Sequence, residues 1–322
     1  MAEAKALVTG GAGFIGSHLA EALLARGYKV HVIDDLSTGS FDNIAHLEKD
    51  DGFDYTIDTV LDAQVVRDLV KDCDIVFHLA AAVGVSYVME NQLRTIQVNI
   101  KGTETVLEAA NRWKRKVILF STSEIYGKSS AAPFKEDDDS ILGPTTLTRW
   151  SYAVTKAIDE IMALAYWREK KLPIVILRCF NTCGPRQTGQ YGMVLPRFVR
   201  QALLGNPITV YGDGTQTRCF ASVQDVVDGV IRIAECERAV GEIFNIGSDV
   251  EITIRELAEK VRELTDSSSE IEFIPYEKAY GKGFEDMMRR VPDLSKIRSF
   301  IGYEPKATLD EIVMSVIQYM KT

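Results

Sequence analysis

The chain has 322 residues, 46% hydrophobic and 26% charged, with a formal net charge of −9. That length allows one large domain or two moderate ones with a substantial core. The acidic balance argues against a nucleic-acid or anionic-membrane surface, and no apolar run approaches the roughly 18 residues of a membrane span.

Lys5-Ala-Leu-Val-Thr9 reads as a short buried strand. Gly10-Gly-Ala-Gly13-Phe14-Ile15-Gly16 follows, then a helical pattern from Ser17 to Ala25. Tyr28 to Ile33 reads as a second strand that ends at Asp34. Strand, glycine turn, helix and acid-tipped strand form a dinucleotide-binding unit. The glycines permit a tight turn, backbone approach to a pyrophosphate and close helix packing, and the helix N-terminus offers N–H groups to phosphate. Asp34 can accept hydrogen bonds from the adenosine ribose and would repel a 2′-phosphate, so NAD is expected rather than NADP.

Further short apolar runs follow at Phe53–Ile57, Ile75–Leu79, Val117–Ser121 and Ile174–Arg178, separated by helical patterns. This alternation predicts an α/β, Rossmann-type doubly wound parallel sheet. Asp58, just past the third strand, is a candidate for the adenine amino group. Leu79 and Ala80, in His78-Leu-Ala-Ala-Ala82, are small-residue strand-end positions where a cofactor can lie against backbone.

Tyr152 and Lys156 stand four apart on a predicted helix and share a face. A free phenol has a pKa of about 10. An ammonium about 4 Å away acts with roughly 4 kcal/mol at an effective dielectric of 20, enough to lower the phenol by about 3 units. Such a phenolate can take a hydroxyl proton while a hydride leaves for a nicotinamide. The five cysteines (Cys73, Cys179, Cys183, Cys219, Cys236) and four histidines are scattered. No metal site is expected, and reduced thiols without a secretory signal suggest the cytoplasm.

Taken in order, Thr9 to Gly16, His78 to Ala81, Phe120 to Gly127, Tyr152-x-x-x-Lys156, Arg178 to Arg186, Gly212 to Phe220 and Gly241 to Gly247 resemble the extended short-chain dehydrogenase/reductases that remodel nucleotide sugars. Ser121-Thr-Ser-Glu124 is similar to the segment in UDP-glucuronate decarboxylases and GDP-mannose dehydratases. Arg149-Trp-Ser-Tyr152, Arg218-Cys-Phe220 and Tyr280 to Arg290 look like the UDP-glucuronate decarboxylase domain of the bifunctional enzyme of lipid A aminoarabinose modification, which has tyrosine where this chain has Phe284.

The resemblance implies roles. Thr122 would bond the reacting sugar hydroxyl alongside Tyr152, and Lys156 would bond the nicotinamide ribose. Glu124 would act as an acid or base near C5 or C6, which tilts the reading toward decarboxylation or dehydration. Arg218, Arg290 and Asn181 would hold the diphosphate of a UDP-sugar, and Tyr211 would line the base pocket. The expected function is NAD-dependent UDP-glucuronate decarboxylation, with UDP-sugar 4-epimerisation and 4,6-dehydration as alternatives and a non-catalytic nucleotide-binding regulator as the outsider.

Residues 1–180 are expected to hold the NAD-binding sheet. Residues 181–322 are expected to form mainly a smaller α/β substrate domain, with a strand near 243–246 returning to the large sheet. Amphipathic helices are predicted over Glu251–Leu264 and Leu309–Met320, and an edge strand over Ile271–Phe273. The family resemblance implies a homodimer through helices near Thr103–Trp113 and Tyr152–Glu169, where Trp113 and Trp167 suit an interface.

Overall fold

A computed structural model describes residues 4–189, 192–280 and 287–321. Phe284, the departure noted above, lies outside the described residues. The first half runs β1 (Lys5–Thr9), α1 (Phe14–Ala25), β2 (Lys29–Asp34), β3 (Phe53–Ile57), α2 (Ala63–Lys71), β4 (Ile75–His78), α3 (Val85–Glu90), α4 (Gln92–Trp113), β5 (Lys116–Thr122), α5 (Ser151–Lys170) and β6 (Ile174–Cys179). The second half runs β7 (Thr182–Cys183), α6 (Val194–Leu203), β8 (Ile208–Tyr211), β9 (Thr217–Cys219), β10 (Ala221–Ser222), α7 (Val223–Glu235), β11 (Ile243–Ile246), β12 (Glu251–Thr253), α8 (Ile254–Leu264), β13 (Ile271–Ile274), α9 (Tyr276–Tyr280), β14 (Arg289–Arg290), α10 (Ser295–Ile301) and α11 (Leu309–Lys321).

Seven strands form one parallel sheet in the order β11-β6-β5-β4-β1-β2-β3. Both faces are covered, which explains the continuous apolar runs in the sequence. Alternate residues serve opposite faces. Ile118 and Phe120 pack with Leu19 and Leu23 of α1 and Val226 and Val230 of α7. Val117 and Leu119 pack with Val66 and Val70 of α2 and Val106 and Leu107 of α4. Burying each such side chain contributes about 1.5–3 kcal/mol. The strand order reverses beside β1, with β2 and β3 on one side and β4 to β6 on the other. Open α/β sheets bind ligands in the crevice at the carboxyl ends of strands flanking such a reversal.

A smaller body sits over that crevice. Phe198 and Val199 of α6, Leu257 and Val261 of α8, and Val313 and Val316 of α11 bury one another around Ile208 and Val210. Its strands form two short sheets, β12-β9-β14 and β13-β8.

Three boundaries differ from the sequence expectation, the first being α1, which starts at Phe14 and not Ser17. The helix expected from Glu251 starts at Ile254, because Thr253 forms a capping box with Glu256 and leaves Glu251–Thr253 to pair with β9. The helix expected from Thr103 starts at Gln92 and runs through Gly102, where an added Cβ would lie 2.8 Å from Val60 Cγ2. That glycine serves close packing, so it does not end the helix. No helix among the described residues is long and apolar enough to cross a membrane.

Candidate active site

The crevice is a cavity of about 520 Å³. Its walls include every residue singled out from the sequence as a site candidate except Lys156. At one end lies the glycine turn. Gly10 has φ +71°, and a Cβ there would stand 2.8 Å from Ala80 N; a Cβ on Gly16 would stand 2.2 Å from Gly10 O. Gly13 caps α1 with no side-chain hydrogen bond, so the helix's first N–H groups remain for an anion. Phe14, Ile15, Leu79 and Ala80 complete this wall.

Asp34, at the tip of β2, accepts from Ala12 N at 3.0 Å and Leu36 N at 2.9 Å. Burial raises its carboxyl above the ordinary range, and those N–H groups oppose the shift. Asp58 lies past β3, with its own N–H on Asp34 O at 3.2 Å. A turn closed to any Cβ, uncapped helix N–H groups and a carboxylate at the second strand's tip together fit a dinucleotide.

The reacting centre forms where β5 ends and α5 begins. Thr122 caps the turn Ser123–Tyr126 and accepts from Glu124 N at 3.2 Å, so its own hydroxyl proton can point elsewhere. Tyr152 lies in the first turn of α5 and faces the cavity. Burial pushes its phenol above its ordinary value, and the Glu124 charge adds to that rise. This corrects the sequence expectation for the ligand-free chain, where burial sets the direction. Lys156 is 2% exposed and donates to Asp159 Oδ2 at 2.9 Å. Its charge is shared with a carboxylate that the sequence reading did not consider.

Glu124 is 8% exposed. It bonds the Arg149 guanidinium and accepts from Arg290 Nη1 at 3.0 Å. Burial works to raise this carboxyl; Arg149 and then Arg290 outweigh it and bring the pKa down to about 2. Sequence alone assigned Arg290 to the diphosphate. The structure places it on Glu124 and, through Nε, on Ser123 Oγ at 2.7 Å.

Arg218 is the register partner of Arg290 on β9 and also faces the cavity. Asn181 lines the same wall and donates to Cys219 O at 2.8 Å. Tyr211 lies under the Arg197 guanidinium, 3.9 Å from the ring centre. Sequence reasoning assigned no role to Arg149, Arg197 or Asp159. The only signals were Arg149 inside the motif before Tyr152 and Asp159 one helical turn after Lys156.

The chain matches the family model for GDP-mannose 4,6 dehydratase over residues 7–316. A UDP-N-acetyl-alpha-D-glucosaminuronate decarboxylase of Bacillus cytotoxicus is 43% identical, over 98% of this chain and 98% of the relative. UDP-glucuronic acid decarboxylase 1 of Arabidopsis thaliana is 38% identical, over 95% of this chain and 67% of the relative. The solved UDP-glucuronic acid 4-epimerase of Bacillus cereus, in complex with UDP-glucuronic acid and NAD, aligns with a TM-score of 0.89 and 32% identity, over 98% of this chain and 99% of that one.

The doubly paired Glu124 gives a test of the site's electrostatics. A carboxyl lowered in the folded state stabilises the fold above its unfolded value near 4.5 and loses that contribution as pH falls through about 2. Glu124→Gln removes the buried carboxylate that Arg149 and Arg290 share and should lower unfolding free energy by about 3–5 kcal/mol at pH 7. In urea titrations the gap to the unsubstituted protein should hold down to about pH 4.5 and narrow only below it.

Proposed function

Because the chain belongs to the GDP-mannose 4,6 dehydratase family of extended short-chain dehydrogenase/reductases, we propose that it is an NAD-dependent UDP-glucuronate decarboxylase working through a 4-keto sugar. The observation that carries this reading is the pair of guanidiniums, Arg149 and Arg290, on the single carboxylate of Glu124. Both guanidiniums line the cavity with Tyr152, and a guanidinium suits the carboxylate of a sugar acid. The same pairing holds Glu124 as an anion. A 4,6-dehydratase needs an acid to expel water from C6, whereas loss of carbon dioxide from a β-keto acid needs none. Similarity to decarboxylases over nearly the whole chain supports the same choice.

NAD, when bound, supplies the acceptor for the C4 hydride. Gly10, Gly13 and Gly16 would admit its pyrophosphate, Asp34 its ribose, and Asp58, Leu79 and Ala80 the adenine end and the neighbouring backbone. The solved epimerase in complex with NAD supports that cofactor. Tyr152 takes the proton of the sugar's O4, and Thr122 donates its free hydroxyl proton to the same oxygen. The ketone so formed is β to the C6 carboxylate. The C5–C6 bond then breaks, and its electrons move toward O4, where the Tyr152 and Thr122 hydroxyls receive the developing charge. Arg218 and Asn181 hold the diphosphate and Tyr211 the base. In this reading residues 1–180, with strand 243–246, serve NAD, and residues 181–322 mainly serve the sugar nucleotide in the cytoplasm.

UDP-glucuronate and NAD mixed with the protein should release carbon dioxide and give a UDP-pentose or its 4-keto form. A C4 epimer or a 6-deoxy-4-keto sugar without carbon dioxide, read by NMR, would overturn this. UDP-N-acetylglucosaminuronate belongs in the same panel, because the Bacillus cytotoxicus relative carries its name. Tyr152→Phe should lower turnover by at least about 100-fold and leave NAD affinity unchanged by calorimetry. Loss of NAD binding would contradict the assigned role.

A homodimer completes the proposal. Trp113 and Trp167 pack against their own chain's core, but Val154, Ile158 and Ile161 recur along α5 with 37%, 39% and 68% exposure. Such an apolar row suits burial against a second copy. Light scattering should give a dimer for the unsubstituted chain and a monomer for Ile161→Glu; a monomeric unsubstituted chain would refute the dimer.

A further inference from the structure

Lys156 is buried against a carboxylate of its own helix. Its side chain is 3% exposed and that of Asp159 is 0% exposed, with Nζ on Oδ2 at 2.9 Å. Asp159 Oδ1 is buried with no hydrogen-bond partner among the described residues. Half of this carboxylate is therefore unsatisfied, which costs stability. Lys156 first, and then Thr103 from α4, offset that cost.

The contact continues through buried groups. Thr103 Oγ1 bonds His78 Nε2 at 3.1 Å, His78 Nδ1 bonds Thr9 Oγ1 at 2.8 Å, and Thr9 Oγ1 accepts from Ala80 N at 3.1 Å. A line of hydrogen bonds thus joins the lysine to the tip of β1 and the backbone against Gly10.

We propose that Asp159 is a positioning residue for the oxidising pair, one that fixes where the Lys156 ammonium stands and keeps it charged so that Tyr152 meets a cation at working pH. This rests on the reading of Tyr152 and Lys156 given above. The ionisable groups around the pair are Tyr152 and Glu160 on α5, His78 from β4 and Cys179 from β6. Glu160 is held by Arg178 through bonds of 2.8 and 3.0 Å. Burial and the nearby Lys156 bring His78 down to about 3, so it is neutral. Burial pushes the Cys179 thiol up to about 12, so it is uncharged too. Asp159 is the carboxylate that answers Lys156. Without it, desolvation acts on a buried ammonium unopposed, and such a group sheds its proton more readily.

Asp159→Asn keeps the shape and removes the charge. The basic limb of kcat against pH should then move down by about one unit or more. Thr103→Val, which leaves the Asp159 charge in place and removes the hydroxyl that bonds the carboxylate and His78, should move it the same way by less. Thermal unfolding of the ligand-free protein gives a second readout. Lys156→Met alone strands Asp159 and should lower Tm, and adding Asp159→Asn should restore most of the loss. Additive Tm changes, or a basic limb that stays at its original pH in both variants, would overturn the proposal. Coupled Tm changes with an unmoved limb would make Asp159 a structural partner only and overturn it as well. The unfolding cycle needs no substrate and the pH profile can use whichever sugar nucleotide is turned over, so a wrong substrate assignment leaves both readouts intact.

Discussion

The pairing of Glu124 with Arg149 and Arg290 is the constraint on which the rest of the site depends. The three residues come from the turn after β5, the turn before α5, and β14 of the smaller body. One carboxylate therefore ties both walls of the cleft together. Ions this buried gain little net stability from attraction, because each has been taken out of water. What the pairing supplies is position. It holds the turn that carries Thr122 and the helix end that carries Tyr152, and it decides the charge that a ligand meets there.

Helix α5 is fixed to the sheet by a second set of buried ions. Arg178 grips Glu160 and also donates from Nη1 to the Tyr126 hydroxyl at 3.0 Å. Tyr126 in turn donates to Asn245 on β11 at 2.6 Å and stacks on Phe134 at 4.7 Å. Together with the Lys156–Asp159 pair, this leaves α5 little freedom to rotate about its axis. A phenol in the first turn of such a helix keeps its aim without loop closure, as preorganised catalysis requires.

Much of this was legible in the sequence, and the reason is locality. The glycine turn, the run Ala6-Leu7-Val8 and Asp34 are read within one supersecondary unit, so the fold class and the dinucleotide wall followed from spacing. Parallel strands buried on both faces leave apolar runs that only a doubly wound sheet accommodates. What sequence could not supply was contact between distant segments. The family resemblance points Arg290 at the diphosphate; its contact with Glu124 follows only from the pairing of β14 with β9. Strands of two or three residues, such as β9 and β14, are too short to show any period. The direction of the Tyr152 shift was missed for a similar reason. A helical neighbour one turn away is local to the sequence; the solvent lost when two bodies close over the phenol is not.

The last strand of the large sheet carries a consequence for how the chain is made. β6 ends at Cys179, and its outer neighbour β11 begins at Ile243. As the polypeptide leaves the ribosome, β6 has a bare row of N–H and C=O groups until that later segment emerges and docks. Open parallel edges of this kind invite pairing with other nascent chains. The interval between the two strands is thus the stage at which synthesis of this protein is most exposed to aggregation.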